Sequence, residues 1–164
     1  MKRRAIMLQN GFSRRKVAVD MLEREDWLLL FIGLPGGKFY ADQVRVMKGM
    51  FLFSKEGPAS VRNLYDFTPY DYGPFDTGVY RDLDKLEAQG LIRSSFLLGT
   101  NRRIFEPSSQ GAERVADLLK QAPRDAVQVL GRIKTEVTSL GFIELLKYVY
   151  DKYPEYARRS VVRP

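Results

Sequence analysis

The sequence predicts a mainly α-helical fold with one small β-hairpin. Apolar residues recur at helical spacing in several segments, glycine and proline separate these segments, and two short segments around Gly99 have the pattern of a hairpin. Of the 164 residues, 45% are hydrophobic and 29% are charged, which is the mix of a globular protein. Because one ordinary domain has roughly 100–200 residues, we expect a single folded domain over residues 21–164.

The first two predicted helices lie between Asp26 and Gly57. Asp26 has the residue type of an N-cap for a short buried helix over residues 27–32, which the glycine- and proline-rich run 33–37 ends. Asp42 is placed to cap a second helix, in which apolar residues recur three and four positions apart.

An aromatic segment precedes the third predicted helix. Residues 65–75 contain five aromatic rings, and the two prolines and one glycine among them forbid a regular helix, so the segment is predicted to be a loop. Asp76 or Thr77 then caps a helix whose apolar residues recur at i, i+4 and i+7 from Val79. Gly90 stands where a helix C-terminal glycine is expected.

A hairpin and three more helices follow. A strand before the turn at Gly99 and a return strand over residues 102–105 form the hairpin. Helical spacing then resumes in three segments over about 108–155, with Pro123 near the start of the second and Ser139 as the cap of the third. We expect these helices to form a C-terminal extension.

Three helices followed by a two-stranded hairpin is the element order of a winged helix-turn-helix. In helix-turn-helix proteins the recognition helix lies in the DNA major groove. The element order and the turn residues support this topology rather than any single side chain. We therefore predict a winged helix-turn-helix core with C-terminal helices.

The charge predicts a polyanionic partner, with double-stranded DNA first. The formal net charge is +7 and the isoelectric point is near 9.7. Residues 1–20 form a basic N-terminal arm that could be flexible and could lie on phosphates, with Arg14 and Arg15 as its candidate DNA contacts. Equally, Met21 could be the natural start, and the arm would then have no role.

The predicted third helix offers a weak DNA-contact face. Thr77, Arg81 and Lys85 could form that face. Between Asp76 and Glu87, however, the helix has two basic residues against four acidic ones, which repel phosphates unless the acids point inward or sideways. The alternative is that the two cations pair with neighbouring acids on a solvated surface.

The predicted wing is better placed for DNA. Arg93, Arg102 and Arg103 occur with no acid between Glu87 and Glu106. We expect these arginines to contact phosphates or a narrow minor groove. The alternative is that they only protect an exposed hairpin edge from aggregation.

Tyrosines provide candidate protein-binding residues. Core packing is expected for Phe67 and Phe75, whereas four tyrosines are candidates for a partner surface: Tyr70, Tyr72, Tyr148 and Tyr156. The last predicted helix has apolar residues on more than one side, which indicates either deep burial or a dimer contact.

The composition argues against an enzyme. The chain has no cysteine and no histidine, which removes disulfides, Cys/His zinc sites, cysteine nucleophiles and Ser-His-Asp triads. The carboxylate pairs Asp82/Asp84 and Glu23/Glu25 are two positions apart and so do not share a helix face, and no phosphate-binding loop is present. We therefore expect no catalytic residue, no metal and no cofactor. The longest apolar run, residues 27–32, is far shorter than the ~20 residues needed to cross a bilayer. We expect a cytoplasmic protein that does not bind membranes.

Two resemblances follow from these segments. The runs VYRDLDKLE at 79–87, GLI at 90–92 and NRRIF at 101–105 resemble the helix-to-wing segment of PadR- or MarR-type regulators. That resemblance implies dimerisation through the helices that flank the winged core.

The second resemblance covers most of residues 26–160. PYDYGPF at 69–75, together with DQVRVMKGMF at 42–51 and ELLKYVYDKYPEY at 144–156, resembles the YwgA-like proteins and the SocA-type Panacea antitoxin domains. It implies a helical domain with a winged-helix core, and it supplies no catalytic residues.

Two functions are therefore expected, in order. The first is a non-catalytic DNA-binding protein, a transcriptional regulator or antitoxin-type repressor that acts as a homodimer. The second is an adaptor or antitoxin that uses the same scaffold to neutralise a protein partner, such as a toxin, without sequence-specific DNA binding. A steep fall of DNA affinity with salt would support the first function, and no binding at low salt would support the second. The acidity of the third helix is the sequence feature that favours the second.

Overall fold

A computed structural model describes residues 22–164, and within them the chain forms six α-helices and two antiparallel two-stranded sheets. The helices are α1 (Arg24–Gly33), α2 (Gln43–Glu56), α3 (Thr77–Ala88), α4 (Ser109–Gln121), α5 (Arg124–Ser139) and α6 (Phe142–Lys152). The strands are β1 (Thr68–Tyr70), β2 (Gly73–Phe75), β3 (Ile92–Phe96) and β4 (Arg103–Pro107). The predicted mainly α-helical fold with a small hairpin is confirmed, and a second hairpin is added.

Helix α1 lies at the centre of the core. All its residues from Trp27 to Ile32 are buried. The helix begins two residues before the predicted N-cap, so Asp26 as the N-cap is wrong. Asp26 lies inside the first turn, where its carboxylate accepts a hydrogen bond from the backbone N–H of Glu23 at 3.1 Å. The earlier start is stabilised because the side chains of Arg24 and Glu25 both form ion pairs with α3.

Backbone carbonyls at the C-terminal end of α1 accept hydrogen bonds from a lysine of α5. The buried Lys134 Nζ donates to the backbone carbonyls of Phe31, Ile32 and Leu34 at 2.6, 2.9 and 3.1 Å. The last carbonyls of a helix have no partner within the helix, and burial would otherwise leave them unpaired. The C-terminal helices are therefore built into the core.

Helix α2 is capped as the sequence predicts and packs closely on α1. The Asp42 side chain accepts from the Arg45 N–H at 2.9 Å. Arg45 is itself buried, and its guanidinium pairs with Asp42 at 2.6 Å and donates to the Leu140 carbonyl at 2.8 Å. Gly49 allows the close approach, because a Cβ there would lie 2.4 Å from the ring of Phe31.

Both predicted ends of α3 are confirmed. The Asp76 carboxylate accepts from the Gly78 N–H at 2.7 Å, so Asp76 rather than Thr77 is the cap. At the other end Gly90 has a φ of 75°, which favours glycine, and the Leu91 N–H donates to the Leu86 carbonyl at 3.0 Å. This C-cap directs the chain straight into β3.

The β3–β4 hairpin begins immediately after α3. Its register runs from Ile92 opposite Pro107 to Phe96 opposite Arg103, so residues 97–102 connect the two strands around Gly99. The segment before α2 also joins the edge of β4, where the Phe105 N–H donates to the Ala41 carbonyl at 3.0 Å.

The predicted loop over residues 65–75 contains a hairpin, so that part of the loop prediction is wrong. Strand β1 pairs with β2, and Pro69 lies directly opposite Pro74. Proline forbids a helix interior, but its φ is compatible with a short edge strand. Gly73, with a φ of 89°, lets the turn lie against Tyr150, whose ring would be 2.8 Å from a Cβ.

The C-terminal helices follow the predicted order with one error. Pro123 immediately precedes α5, as expected. Ser139 does not cap α6, because it is the last residue of α5 and its hydroxyl donates back to the Thr135 carbonyl at 2.6 Å. Gly141 is at the N-cap of α6 instead. Within residues 22–164, none of the helices has the length and apolar character needed to cross a lipid bilayer.

The close contact between α1 and α2 yields a stability prediction. Gly49→Ala places a methyl group on the Phe31 ring, and overpacking of this kind costs about 1–3 kcal/mol of unfolding free energy. Gly131→Ala on α5 is the matched control, since nothing lies within 4 Å of its added Cβ. We expect the control to gain about 0.5–1 kcal/mol from helix propensity. Urea unfolding of both variants checks this, and a Gly49→Ala protein as stable as the parent would contradict it.

Candidate nucleic-acid interface

One face of α3 presents the three residues that the sequence predicts. Thr77, Arg81 and Lys85 are four positions apart and all are exposed. The opposite side of the helix is buried through Leu83 and Leu86. The predicted contact residues therefore share a solvent-facing row.

One acid of α3 points into the protein rather than toward that row. Asp82 is buried, accepts from the Tyr65 hydroxyl at 2.6 Å and pairs with Arg24 Nε at 2.8 Å. Burial and the hydrogen bond with Asp82 raise the pKa of Tyr65 well above its ordinary value, so it remains a donor. The negative charge of Asp82 is therefore compensated inside the fold.

Lys85 and Arg103 are engaged by neighbouring carboxylates. Lys85 Nζ lies 2.6 Å from Glu25 of α1, and the hydrogen bond raises the pKa of Lys85. Arg103 on β4 lies 3.2 Å from Asp84 and also forms an ion pair with Glu87. Its guanidinium therefore holds the hairpin against α3, and it is less free to contact a phosphate than the sequence predicts.

Arg81, Arg93 and Arg102 are the more available cations of this surface. Within residues 22–164, Arg81 and Arg93 form no ion pair, and both are exposed. Arg102, in the hairpin turn, has a side chain that is 44% exposed and lies 3.8 Å from Asp42. Five of the predicted DNA contacts therefore lie on α3 and the two strands of the hairpin, and Arg102 lies in the turn next to β4. The five are Thr77, Arg81 and Lys85 on α3, Arg93 on β3 and Arg103 on β4.

Most of the net charge belongs to residues outside the described part. Residues 22–164 contain 21 Lys and Arg against 19 Asp and Glu, a formal charge of +2, and residues 1–21 contribute the remaining +5. The predicted contacts Arg14 and Arg15 lie outside the described residues. In the first turn of α1, Arg24 and Glu25 form ion pairs with α3, the helix predicted to contact DNA. The basic segment comes directly before this turn in the sequence.

The tip of the β3–β4 hairpin is apolar, which sequence reasoning missed. Phe96 is 68% exposed and Leu98 is 97% exposed. The sequence contains the run Phe96-Leu97-Leu98, but strand alternation alone does not reveal that it lies beyond the cover of the core. An exposed apolar tip is typical of a protein contact.

The four candidate partner tyrosines have different environments. Tyr70 and Tyr72 are exposed on the β1–β2 hairpin. Tyr148 and Tyr156 are half-buried: the Tyr148 hydroxyl donates to Glu136 at 3.0 Å, and the Tyr156 ring packs 4.6 Å from Phe51. Tyr70 and Tyr72 therefore remain candidates for a partner surface, whereas the other two serve the fold. Phe67 is in the core, and Phe75 packs against it, as predicted.

A buried lysine beside the β1–β2 hairpin is the second feature that sequence reasoning missed. Lys48 is 3% exposed, and its Nζ donates to the Pro74 carbonyl at 3.0 Å. Burial lowers the pKa of Lys48 to about 7. The sequence does indicate this burial, because Lys48 occupies the i+4 position of the apolar stripe that starts at Val44.

A comparison with protein-family models finds no match to the chain, and a comparison with curated proteins finds none either.

Lys48 predicts a specific pH dependence. Between pH 7 and 10.5 the unfolded chain binds more protons at this position than the folded chain, so the lysine's contribution to stability rises with pH. We expect the unfolding free energy of the parent to rise relative to Lys48→Met by up to about 1.4 kcal/mol per pH unit. Urea unfolding at pH 7, 8, 9 and 10 measures this. A difference that stays constant over that range would contradict the prediction.

Proposed function

We propose that the chain is a non-catalytic winged helix-turn-helix protein that binds double-stranded DNA, as a transcriptional regulator or an antitoxin-type repressor. The observation that carries the proposal is the arrangement of α1, α2, α3 and β3–β4, in which β4 also pairs with the segment before α2. Three helices followed by this hairpin give the element order of a winged helix-turn-helix. Helix α3 then corresponds to the recognition helix.

Two groups of side chains have separate roles in this proposal. Thr77, Arg81 and Lys85 face the major groove from α3, and Arg93 and Arg102 contact phosphates from the hairpin. Arg103 is a positioning residue, because its ion pairs with Asp84 and Glu87 hold the wing on α3.

The basic arm supplies most of the electrostatic affinity in this proposal. The described residues carry only +2, which is too little for strong attraction to phosphates by itself. Each neutralised phosphate adds about 0.9 to the slope of log affinity against log salt. The arm, with Arg14 and Arg15, therefore dominates that slope.

The family and the assembly are part of the same proposal. The YwgA-like and Panacea resemblance, with its PadR- or MarR-type wing, is consistent with this arrangement of helices and hairpin. A cytoplasmic homodimer would form through the C-terminal helices, where Leu119 on α4 and Ile143 on α6 are exposed apolar residues.

A second function, binding to a protein such as a toxin, is favoured by a different observation. The exposed Phe96 and Leu98 form an apolar tip beside a surface whose charges are largely paired. Such a surface suits a protein partner better than a phosphate backbone. Phe96→Ser with Leu98→Ser would then abolish partner binding and leave DNA binding unchanged.

The first test is binding of the full chain to genomic DNA fragments, including its own upstream region, across a range of salt. We expect preference for one fragment and a steep loss of affinity with salt. Arg14→Gln with Arg15→Gln should lower the salt slope by about 2 without changing the preferred fragment. Absence of binding at low salt would overturn the DNA proposal and leave the protein-binding function.

Single substitutions on α3 and the hairpin provide a finer prediction. Arg81→Gln should weaken binding to the preferred fragment by about 1–3 kcal/mol and relax its sequence preference. Arg102→Gln should weaken binding to all fragments to a similar degree. Arg124→Gln, an exposed arginine on α5, controls for the loss of one charge. Equal effects of Arg81→Gln and Arg124→Gln, measured by fluorescence anisotropy, would remove α3 from the interface.

A further inference from the structure

A cavity of about 560 Å³ opens at the C-terminal end of α2. Its lining comes from three parts of the chain: the last turn of α2, the segment 62–67 that leads to the β1–β2 hairpin, and Tyr156 from the short turn after α6. Small-molecule sites usually measure about 300–1,000 Å³, and this cavity lies within that range. None of its lining residues belongs to the DNA-contact surface proposed on α3 and β3–β4.

Two basic side chains line this cavity without a carboxylate partner. Lys55 and Arg62 are exposed, and within residues 22–164 neither side chain forms an ion pair. The contrast is local, because Glu56, the residue after Lys55, pairs with Arg132 and Lys152. Charged donors bind phosphate oxygens strongly, so two unpaired cations in one concave site suit a phosphate group.

Aromatic rings form the apolar part of the same cavity. The Lys55 Nζ lies 5.4 Å from the centroid of the half-buried Tyr156 ring, which is within the range of a cation–π contact. Tyr65 and Phe67 also line the cavity and pack edge-on, with centroids 5.9 Å apart. A phosphate that binds Lys55 therefore carries its attached group next to aromatic side chains, on which a flat ring can stack.

Hydrogen bonds to α3 hold one wall of the cavity in place. The Tyr65 hydroxyl donates to the Asp82 carboxylate at 2.6 Å, and the Asp66 backbone N–H donates to the Asp76 carboxylate at 2.7 Å. Tyr65 is only 6% exposed, so its ring is fixed in the fold as well. A wall that is already ordered loses little conformational freedom when a ligand binds, which lowers the cost of binding.

We propose that this cavity binds a nucleoside monophosphate, whose phosphate pairs with Lys55 and Arg62 while its base lies against Tyr156. The charges match, because a phosphate monoester carries about −1.5 to −2 at pH 7. Asn63 also lines the cavity, and its amide offers both a donor and an acceptor to the edge of a base. Asp66 is the one acidic residue of the described lining, and it disfavours a longer polyphosphate.

Calorimetric titration of the full chain with the monophosphates of adenosine, guanosine, cytidine and uridine tests the proposal. We expect at least one of the four to bind with a Kd below about 1 mM. Its nucleoside, which lacks the phosphate, should bind about tenfold or more weakly, because the charged hydrogen bonds are lost. Ribose phosphate, which lacks the base, should also bind about tenfold more weakly, because the stacking contact is lost.

Substitutions at exposed positions test the site without disturbing the core. Lys55→Met and Arg62→Met should each reduce the preference for the nucleotide over its nucleoside by about tenfold. Asp66→Asn should strengthen nucleotide binding, because it removes the negative charge from the described lining. Lys38→Met is the matched control, since Lys38 is also an exposed lysine over an aromatic ring, 5.2 Å from the centroid of Phe39, but does not line this cavity. The control should bind like the parent.

Three results would overturn the proposal. The first is a Kd weaker than about 1 mM for all four nucleotides. The second is binding of ribose phosphate or of inorganic phosphate as tight as that of the best nucleotide, which would leave no role for the base. The third is an equal loss of nucleotide binding in Lys38→Met and in Lys55→Met. The titrations contain no nucleic acid, so each result is distinguishable from failure of the DNA-binding proposal.

Discussion

The burial of residues 27–32 of α1 on all sides is the constraint on which the rest of the structure depends. A helix with no solvent-facing side must find partners inside the protein for the polar groups at both its ends. At its start, Arg24 and Glu25 pair with Asp82 and Lys85 of α3. At its end, Lys134 of α5 donates hydrogen bonds to three backbone carbonyls. The most apolar helix is therefore also the one that determines where charged residues stand on its neighbours.

Ion pairs with α1 and β4 explain why the net charge counted from the sequence of α3 differs from the charge that the surface of α3 presents. Counting residues gives α3 an acidic character, but Asp82 is buried, and Asp84 and Glu87 are occupied by Arg103. Lys85 is likewise paired with Glu25, and Arg103 with Asp84 and Glu87, so both cations already have carboxylate partners. What remains is a row of moderate charge, so any strong attraction to a polyanion has to come from the basic residues before α1.

The sequence predicts those parts of the fold that depend on local chemistry. Asp42 and Asp76 as caps, Gly90 as a C-terminal glycine and the β3–β4 hairpin follow from residue types that favour one backbone conformation. The ion pairs of the first turn of α1 with α3, and the contacts of the hairpin over residues 68–75 with Lys48 and Tyr150, join residues distant in the chain, and no local pattern reveals them. The same holds for the site. The exposed row on α3 follows from spacing, whereas the pairing of Arg103 and the burial of Lys48 require the tertiary fold.

The hydrogen bonds from Lys134 to the end of α1 have a consequence for how the domain is divided. Lys134 and the Phe31 carbonyl, more than 100 positions apart, are hydrogen-bond partners, so the C-terminal helices could not be lost or exchanged while residues 22–107 keep their structure. Insertions and domain fusions are tolerated where few contacts cross the chain, and the junction after β4 is not such a place. In this protein the first three helices, the hairpins and the C-terminal helices form one structural unit.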